Sequence, residues 1–402
     1  MKKPELLAPA GNMNKLLTAV HFGADAVYAA ASEYGLRAYA GNFTLDELKR
    51  AADMLHAQSK KLYVTVNAYM NESDIGGLPA FAERLGETGA DGALVSDSGA
   101  FAVLSKYAPR LPLHVSTQAN VTNSEAAKVW ADMGASRIVL ARETRLSEIP
   151  AIKRAAGVEI EAFVHGAMCV AYSGRCLLSA YFTGRSGNRG ACTQSCRWEY
   201  GLIEPTRGET LGISEDERGT YILSSKDLCM IKHLKELADA GVDSFKIEGR
   251  MKSEYYVAGT VNAYRRAIDD MIAGRPFDER LEAETEKISH RGYSTGFYFG
   301  GKGETGEPKP QSGSEFIAVS AEDGDGEATV EMRSRFAVGD VLEVLSPYDS
   351  FGHSFTVEKI IDPDGKSVGV ADKVQQLVRI NCDVPIHKYD ILRRNRSLTA
   401  RA

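Results

Sequence analysis

No run of eighteen apolar residues occurs in this sequence, which excludes a hydrophobic membrane-spanning helix. No apolar run follows the two lysines of the opening MKKPELLAPAGN, so it does not read as a signal peptide, and the expected compartment is the cytoplasm. Thiols there stay reduced, which argues against structural disulfides. Neither a GxGxxG nor a Walker pattern follows the first strand-like run, which weakens the reading of an open nucleotide-binding sheet. HExxH, a Ser-His-Asp order and a reactive cysteine paired with a base are all missing, so proteolytic machinery is not legible. Positive charge is not in excess: 48 Lys and Arg against 54 Asp and Glu give a net −6. Any nucleic-acid contact must therefore use a local basic face.

Cysteine is scarce but concentrated. Four of the six, Cys169, Cys176, Cys192 and Cys196, fall in the 36 residues from Glu161 to Cys196, spaced C-x6-C-x15-C-x3-C. Arg175, Arg185, Arg189 and Arg197 stand among or beside them, and Glu161 is the one acidic residue of the stretch. Four thiolates in one place repel each other unless a metal or cations compensate them. An all-sulfur set suits zinc or an iron–sulfur cluster. Zinc sites usually build on tight C-x2-4-C pairs at both ends, and here only the last pair comes close. The loose spacing and the arginines favour iron–sulfur. The alternatives are buried packing or, in an exported protein, two disulfides. Cys229 is a fifth candidate, but a lone cysteine opening a helix is more often packing.

With 402 residues, 44% hydrophobic and 25% charged, the chain can bury a large core and has room for a barrel-sized domain with a small partner. Up to about residue 250, short β-rich runs alternate with amphipathic helical stretches such as NMNKLLTAVHF and LDELKRAADMLHAQ. The expected strands are Glu5–Ala8, Ala26–Ala30, Lys61–Val66, Gly92–Val95, Leu113–Ser116, Arg137–Leu140, Glu159–Val164 and Ser244–Ile247. A recurring unit punctuates them: Gly23-Ala24-Asp25, Gly89-Ala90-Asp91, Gly134-Ala135-Ser136 and Gly241-Val242-Asp243. Each glycine sits where a helix ends in a left-handed cap and a strand follows. The pattern predicts a (β/α)8 TIM-like barrel over residues 1–299, with chemistry at the C-terminal ends of its strands.

Polar residues recur at those ends: Asn67, Gln118 and Asn120, Arg142 and Glu143, His165, then Glu248 and Arg250. Residues 198–222 read as a polar hairpin, and Ser224–Cys229 as a helix start with Asp227 as cap and Lys226 beside it. Residues 254–275 read as a long helix with Tyr255, Tyr256 and Tyr264. The stretch from His290 through Arg291 and Tyr293 to Phe299 is aromatic and basic, able to stack on bases or bind an aromatic acid. Residues 300–314 are a linker by composition. Period-two patterning from 315 to 396 predicts a small all-β, barrel-like domain. Arg393, Arg394, Arg396 and Arg401 form a basic tail, read as a solvated terminus or a phosphate contact.

The run E-x-F-x-x-G-A-M-C-x4-G-x-C-x-L-S from Glu161 to Ser179 resembles the signature of the collagenase-like peptidase family U32. ELLAPAGN, GADAVY, VSTQAN, ACTQSCRWEY, KIEGRMKS and HRGYSTGF extend the resemblance over nearly the whole chain. Within the family it is most similar to the branch that hydroxylates tRNA uridine. That resemblance implies 5-hydroxyuridine formation at the wobble position in a prephenate-dependent pathway. It also implies a [4Fe–4S] cluster on Cys169, Cys176, Cys192 and Cys196, iron–sulfur assembly machinery, and a paralogous family subunit as a partner. Cys229 does not belong to that branch's pattern, although some relatives recruit a later ligand. Other branches hydroxylate a ribosomal RNA cytidine or act in quinone synthesis, and the quinone proteins lack the C-terminal domain. On this reading His165, Lys226 and Glu248 are the proton-transfer candidates. Asn67, Gln118, Arg142, Arg250, His290, Arg291 and Tyr293 are the substrate-binding candidates, because arginine forks match carboxylate and phosphate. The rival readings are a peptidase of collagen-like chains and a non-catalytic, cluster-bearing RNA-binding subunit.

Overall fold

The computed structural model describes residues 2–36, 42–169, 171–197, 214–216, 219–221, 225–300 and 310–396. Seven strands follow one another in parallel: β1 (Glu5–Pro9), β2 (Ala26–Ala30), β3 (Lys61–Val66), β4 (Gly92–Val95), β5 (Leu113–Val115), β6 (Arg137–Val139) and β7 (Glu159–Ala167). A hairpin of β8 (Ser214–Asp216) and β9 (Gly219–Tyr221) comes next, then β10 (Asp227–Cys229), β11 (Ser244–Ile247) and β12 (Tyr293–Ser294). Strand β11 pairs in parallel with both β7 and β1, closing an eight-stranded barrel. The predicted TIM-like architecture is the one observed. No helix among the described residues is long and apolar enough to cross a membrane.

The recurring glycine units work as clasps. Gly23, Gly89, Gly134 and Gly241 all take positive φ, from 80° to 101°, which a side chain would resist. The third residue of each unit then ties its strand to the neighbouring one. Asp25 N donates to Leu6 O while Leu6 N donates to the Asp25 carboxylate, each at 2.9 Å. Asp91 does the same with Leu62, and Asp243 with Ile160. Ser136 reaches Leu113 O through both its amide and its hydroxyl. Register between adjacent strands is thereby set at four points around the barrel.

Expected helical character at residues 224–229 is replaced by β10, which pairs antiparallel with the last residues of β7. Strand β7 runs three residues beyond the expected Val164, and that exposed edge recruits Asp227–Cys229. Asp227 is buried and accepts a bond from Arg291 instead of capping a helix. The hairpin expected within 198–222 is present in β8 and β9, and the rest of that stretch lies outside the described residues, as do 301–309 of the expected linker. The long helix spans Glu254–Ile272, and its tyrosine hydroxyls bond backbone carbonyls: Tyr255 to Lys287, Tyr256 to Glu248 and Tyr264 to Val164.

The C-terminal domain is an antiparallel half-barrel of eight strands between Ser314 and Asn395, with its own core. It is welded to the barrel. Leu345 and Ile391 belong to the barrel core, and Phe316 stacks on Tyr255 with centroids 5.6 Å apart. Arg266 donates to the carbonyls of Ser346, Pro347 and Tyr348. Arg393, expected in a solvated tail, is fully buried and bonds Glu284 of the barrel domain and Glu343. Arg394 pairs with Glu315 and Asp340. Pairing in the last strand carries the chain to Asn395, so Arg393 and Arg394 belong to a strand and not to a tail. Arg401 lies outside the described residues.

Candidate active site

The interior of the barrel carries charge as well as apolar packing. Arg137 on β6 is 3% exposed and donates to Glu5 on β1 at 2.7 Å and to Glu159 and Glu161 on β7 at 2.7 and 3.1 Å. Burial disfavours its charge, but Glu161 and Glu5 outweigh that and hold it firmly protonated. Glu161 also accepts a 2.6 Å bond from Lys246 on β11. The Lys246 ammonium lies 4.5 Å from the centre of the Tyr28 ring and 5.6 Å from that of Phe163. Burial pushes its pKa down, and Glu161 opposes the shift. Lys246 therefore crowns a buried ion network and points at the C-terminal mouth.

Over that mouth lies a cavity of about 430 Å³. Its floor includes Lys246, Thr65 and Phe163, and its wall includes all four clustered cysteines. Among the described residues, Arg142, Arg250, Lys252 and Arg291 line it against a single acidic side chain, Glu248. Arg142 stacks over Phe163 at 4.1 Å. Arg250 is buried and bonded to Thr65 Oγ1 and the Leu36 carbonyl, and Arg291 is buried and paired with Asp227. Asn67 accepts from Leu36 N and lines the same space with Gln118. A concave, cationic space of this kind suits a small anion or a phosphate-bearing ligand.

Of the seven expected substrate-binding residues, Asn67, Gln118, Arg142, Arg250 and Arg291 come together here, and Glu248 joins them from the proton-transfer set. His290 and Tyr293 do not. The His290 ring lies flat on Tyr293, with centroids 4.4 Å apart. His290 bonds Glu286 at 2.8 Å and accepts from Gly292 N, while Tyr293 donates to Thr285 O. Their polar atoms are engaged in packing rather than turned to a ligand. His165 is displaced as well. A bulge opposite Lys246 and Ile247 turns it toward Tyr256, Tyr264 and Tyr293, where burial pushes its pKa down to about 3. Lys226 is half-buried and outside the cavity lining. Lys246, Thr65 and Lys252 are additions. The sequence signal for Lys246 was a charge inside the apolar strand SFKI, which only a buried partner makes tolerable.

The cysteine segment is held by its own polar contacts. Glu143 accepts from Ser173 N at 3.1 Å, Tyr69 N donates to Asn188 O at 3.1 Å, and Asn188 donates to Cys176 O. None of the six cysteines is in a disulfide. Burial raises the Cys176 thiol pKa, the N–H groups of Leu178 and Ser179 pull it back, and the nearby Cys169 and Cys192 raise it further. Gln194 N donates to Cys192 Sγ at 3.4 Å. Three neighbouring sulfurs with backbone N–H donors are a donor set fitted to thiolate ligation. Among the described residues, no three Cys, His, Asp or Glu side chains are gathered in metal-holding geometry. Cys229 stands apart. It lies 3.8 Å from Tyr264 Oη, outside the cavity lining, and burial raises its thiol pKa.

Gly174 fixes how the segment docks. It takes φ +74°, and a Cβ there would sit 2.2 Å from Gln118 O and 2.6 Å from Tyr69 Oη. Gly174→Ala is expected to lift the loop between Cys169 and Cys176 off the fifth strand's end and to expose it to limited proteolysis. Gly184→Ala meets nothing within 4 Å at φ +69° and should cost only backbone strain of about 1–2 kcal/mol. Equal protease sensitivity and equal melting of the two variants would contradict this docking.

The family profile described as "Peptidase family U32" matches residues 11–308, and that of "Peptidase family U32 C-terminal domain" matches 313–393. The chain belongs to peptidase family U32. Among its relatives, "tRNA hydroxylation protein P1" of Bacillus subtilis (strain 168) is 37% identical over 405 residues, covering 98% of this chain and 96% of that protein. "tRNA hydroxylation protein P" of Escherichia coli (strain K12) is 37% identical over 418 residues, covering 92% of each. "23S rRNA 5-hydroxycytidine C2501 synthase" of the same organism is 36% identical over 372 residues, covering 88% of this chain and 54% of that protein. The family's peptidase label finds no matching geometry where this U32 chain sets Cys229 opposite His165. Cys229 and His165 are register partners, but burial raises the thiol pKa and lowers that of the imidazole. A reactive thiolate–imidazolium pair needs the opposite shifts.

Proposed function

We propose that this U32 protein is an iron–sulfur RNA-modifying enzyme that forms 5-hydroxyuridine at the wobble position of tRNA, with prephenate as co-substrate. The observation that carries the reading is that four cysteines outside any disulfide line a cationic cavity at the mouth of a TIM-like barrel. The names of its relatives, which concern hydroxylation of tRNA and ribosomal RNA, support the substrate class. Cys169, Cys176, Cys192 and Cys196 would hold a [4Fe–4S] cluster, loaded by iron–sulfur assembly machinery. When bound it supplies the one-electron chemistry that side chains lack. Lys246, held by Glu161, offers a fixed ammonium at the cavity floor for a carboxylate of prephenate. Arg142 and Arg291 present guanidinium groups to a second carboxylate or an RNA phosphate. Glu248 is the carboxylate placed to accept a proton from a bound ligand. The proposed setting is the cytoplasm, where the protein meets tRNA and a paralogous family subunit.

Protein purified without air is expected to be brown, with iron and acid-labile sulfide in a ratio of about one. Stoichiometric zinc without sulfide in such a preparation would remove the cluster from the reading. The same protein should leave gelatin and casein intact, and cleavage abolished by one cysteine or histidine substitution would move the assignment to a peptidase. Nucleoside analysis of tRNA from a deletion strain, complemented with wild type or Glu248→Gln, tests the rest. Wild type should restore 5-hydroxyuridine and Glu248→Gln should not. Full restoration by Glu248→Gln would favour the non-catalytic RNA-binding subunit.

A further inference from the structure

The cysteine segment buries little of its own apolar surface. Tyr172 is 62% exposed, Leu177 71% and Tyr181 83%, all within ten residues. The short helix Leu178–Thr183 turns its Ser179 inward, where the hydroxyl bonds Arg185 O and Thr193. Leu177 and Tyr181, four residues apart, share the outer side. From Cys169 to Cys196 there are three arginines and no acidic residue, in a chain whose net charge is −6. Arg189 pairs with Asp74, and Arg175 and Arg185 are exposed in the same stretch. Tyr172 both stands in solvent and lines the cavity, so the exposed stretch begins at the rim of the cationic mouth.

Isolated exposed apolar residues need no explanation, but a run of them with aromatic rings, arginines and no carboxylate has a recognisable chemistry. Unpaired bases stack on aromatic side chains whatever their identity, and arginine meets the phosphates between them. A protein partner would ordinarily answer arginines with carboxylates and cover a larger area. We infer that Tyr181, Tyr172 and Arg175 form a stacking platform for the unpaired nucleotides that flank the modified base, holding an RNA loop open while that base enters the cavity. This rests on the RNA-modifying reading above and adds where the loop lies. The His290–Phe299 stretch does not serve, because His290 and Tyr293 are packed on each other.

The test uses anaerobically purified, cluster-loaded full chain and an unmodified tRNA transcript with uridine at the wobble position, with binding followed by fluorescence anisotropy. Tyr181→Ala and Arg175→Gln are each expected to weaken binding by roughly tenfold, and Tyr181→Phe, which keeps the ring, to bind like wild type. Iron and sulfide content should not change with Tyr181→Ala or Tyr181→Phe, since Tyr181 does not line the cavity, and binding by Arg175→Gln is read on protein whose iron and sulfide match wild type. A perfect RNA duplex should bind weakly and respond little to Tyr181→Ala. If wild type binds the transcript and Tyr181→Ala with Arg175→Gln binds equally well, the platform is wrong and the RNA reading stands. If that double variant instead loses self-association or association with a paralogous subunit in sedimentation while keeping tRNA affinity, the face belongs to a protein partner. If cluster-loaded wild type does not bind the transcript at all, the functional reading itself fails.

Discussion

Serine at Cys169, Cys176, Cys192 or Cys196 is expected to abolish both the visible absorbance of anaerobic protein and 5-hydroxyuridine in tRNA, whereas serine at Cys229 should preserve both. The first four sulfurs line one cavity, and Cys169 and Cys192 are close enough to Cys176 to disfavour its ionisation. Backbone amides of Leu178, Ser179 and Gln194 point at two of them, compensating the thiolate form. A serine oxygen is a far poorer ligand for iron than a thiolate, and a cluster with three good ligands is exposed at the fourth. Since binding requires deprotonated thiols and burial raises the pKa of Cys176, loading should also improve as pH rises. Cys229 sits behind β7 against Tyr264, so Cys229→Ser should cost about 1–3 kcal/mol of stability through a poorly partnered hydroxyl. A colourless Cys229→Ser beside a Cys196→Ser that keeps its iron and sulfide would make Cys229 the fourth ligand.

The barrel was legible because its signals are local. Eight short β-rich runs and four glycine units each report on their own few residues, and the clasps of Asp25, Asp91, Ser136 and Asp243 are built from those same units. The cysteine segment was legible because ligand spacing is a property of sequence. What escaped depends on partners far along the chain. Arg137 reaches Glu5 across 132 positions, and Lys246 reaches Glu161 across 85. Neither strand alone says that its charge faces a carboxylate. His165 was misplaced because simple alternation puts it on the same face as Phe163, and a single bulge reverses that. The helix start at Ser224–Cys229 had ordinary capping chemistry, but the free end of β7 offered backbone pairing, which won. The arginines near the C-terminus resembled a tail until strand pairing carried them inside.

The interior ion network separates stability from chemistry, and two of its residues should fail in different ways. Arg137→Met removes donors that Glu5, Glu159 and Glu161 share. Glu5 would keep Tyr63 and Ser244, and Glu161 would keep Lys246, but Glu5 would lose the guanidinium it pairs with. Breaking a buried pair from one side typically costs about 3–5 kcal/mol, a large part of the roughly 5–15 kcal/mol that holds a protein folded. Lys246→Met is milder, because Glu161 retains Arg137 at 3.1 Å and methionine fills the same space against Tyr28 and Phe163. Its cost should stay near the 1–3 kcal/mol of a lost charged hydrogen bond. Its functional loss should nevertheless be complete, since the floor of the cavity no longer offers a cation to an anionic ligand. Urea denaturation should therefore rank Arg137→Met well below Lys246→Met, while nucleoside analysis finds no 5-hydroxyuridine with Lys246→Met despite normal iron and sulfide. Lys246→Met protein that still makes 5-hydroxyuridine would show that the buried ammonium serves only the core.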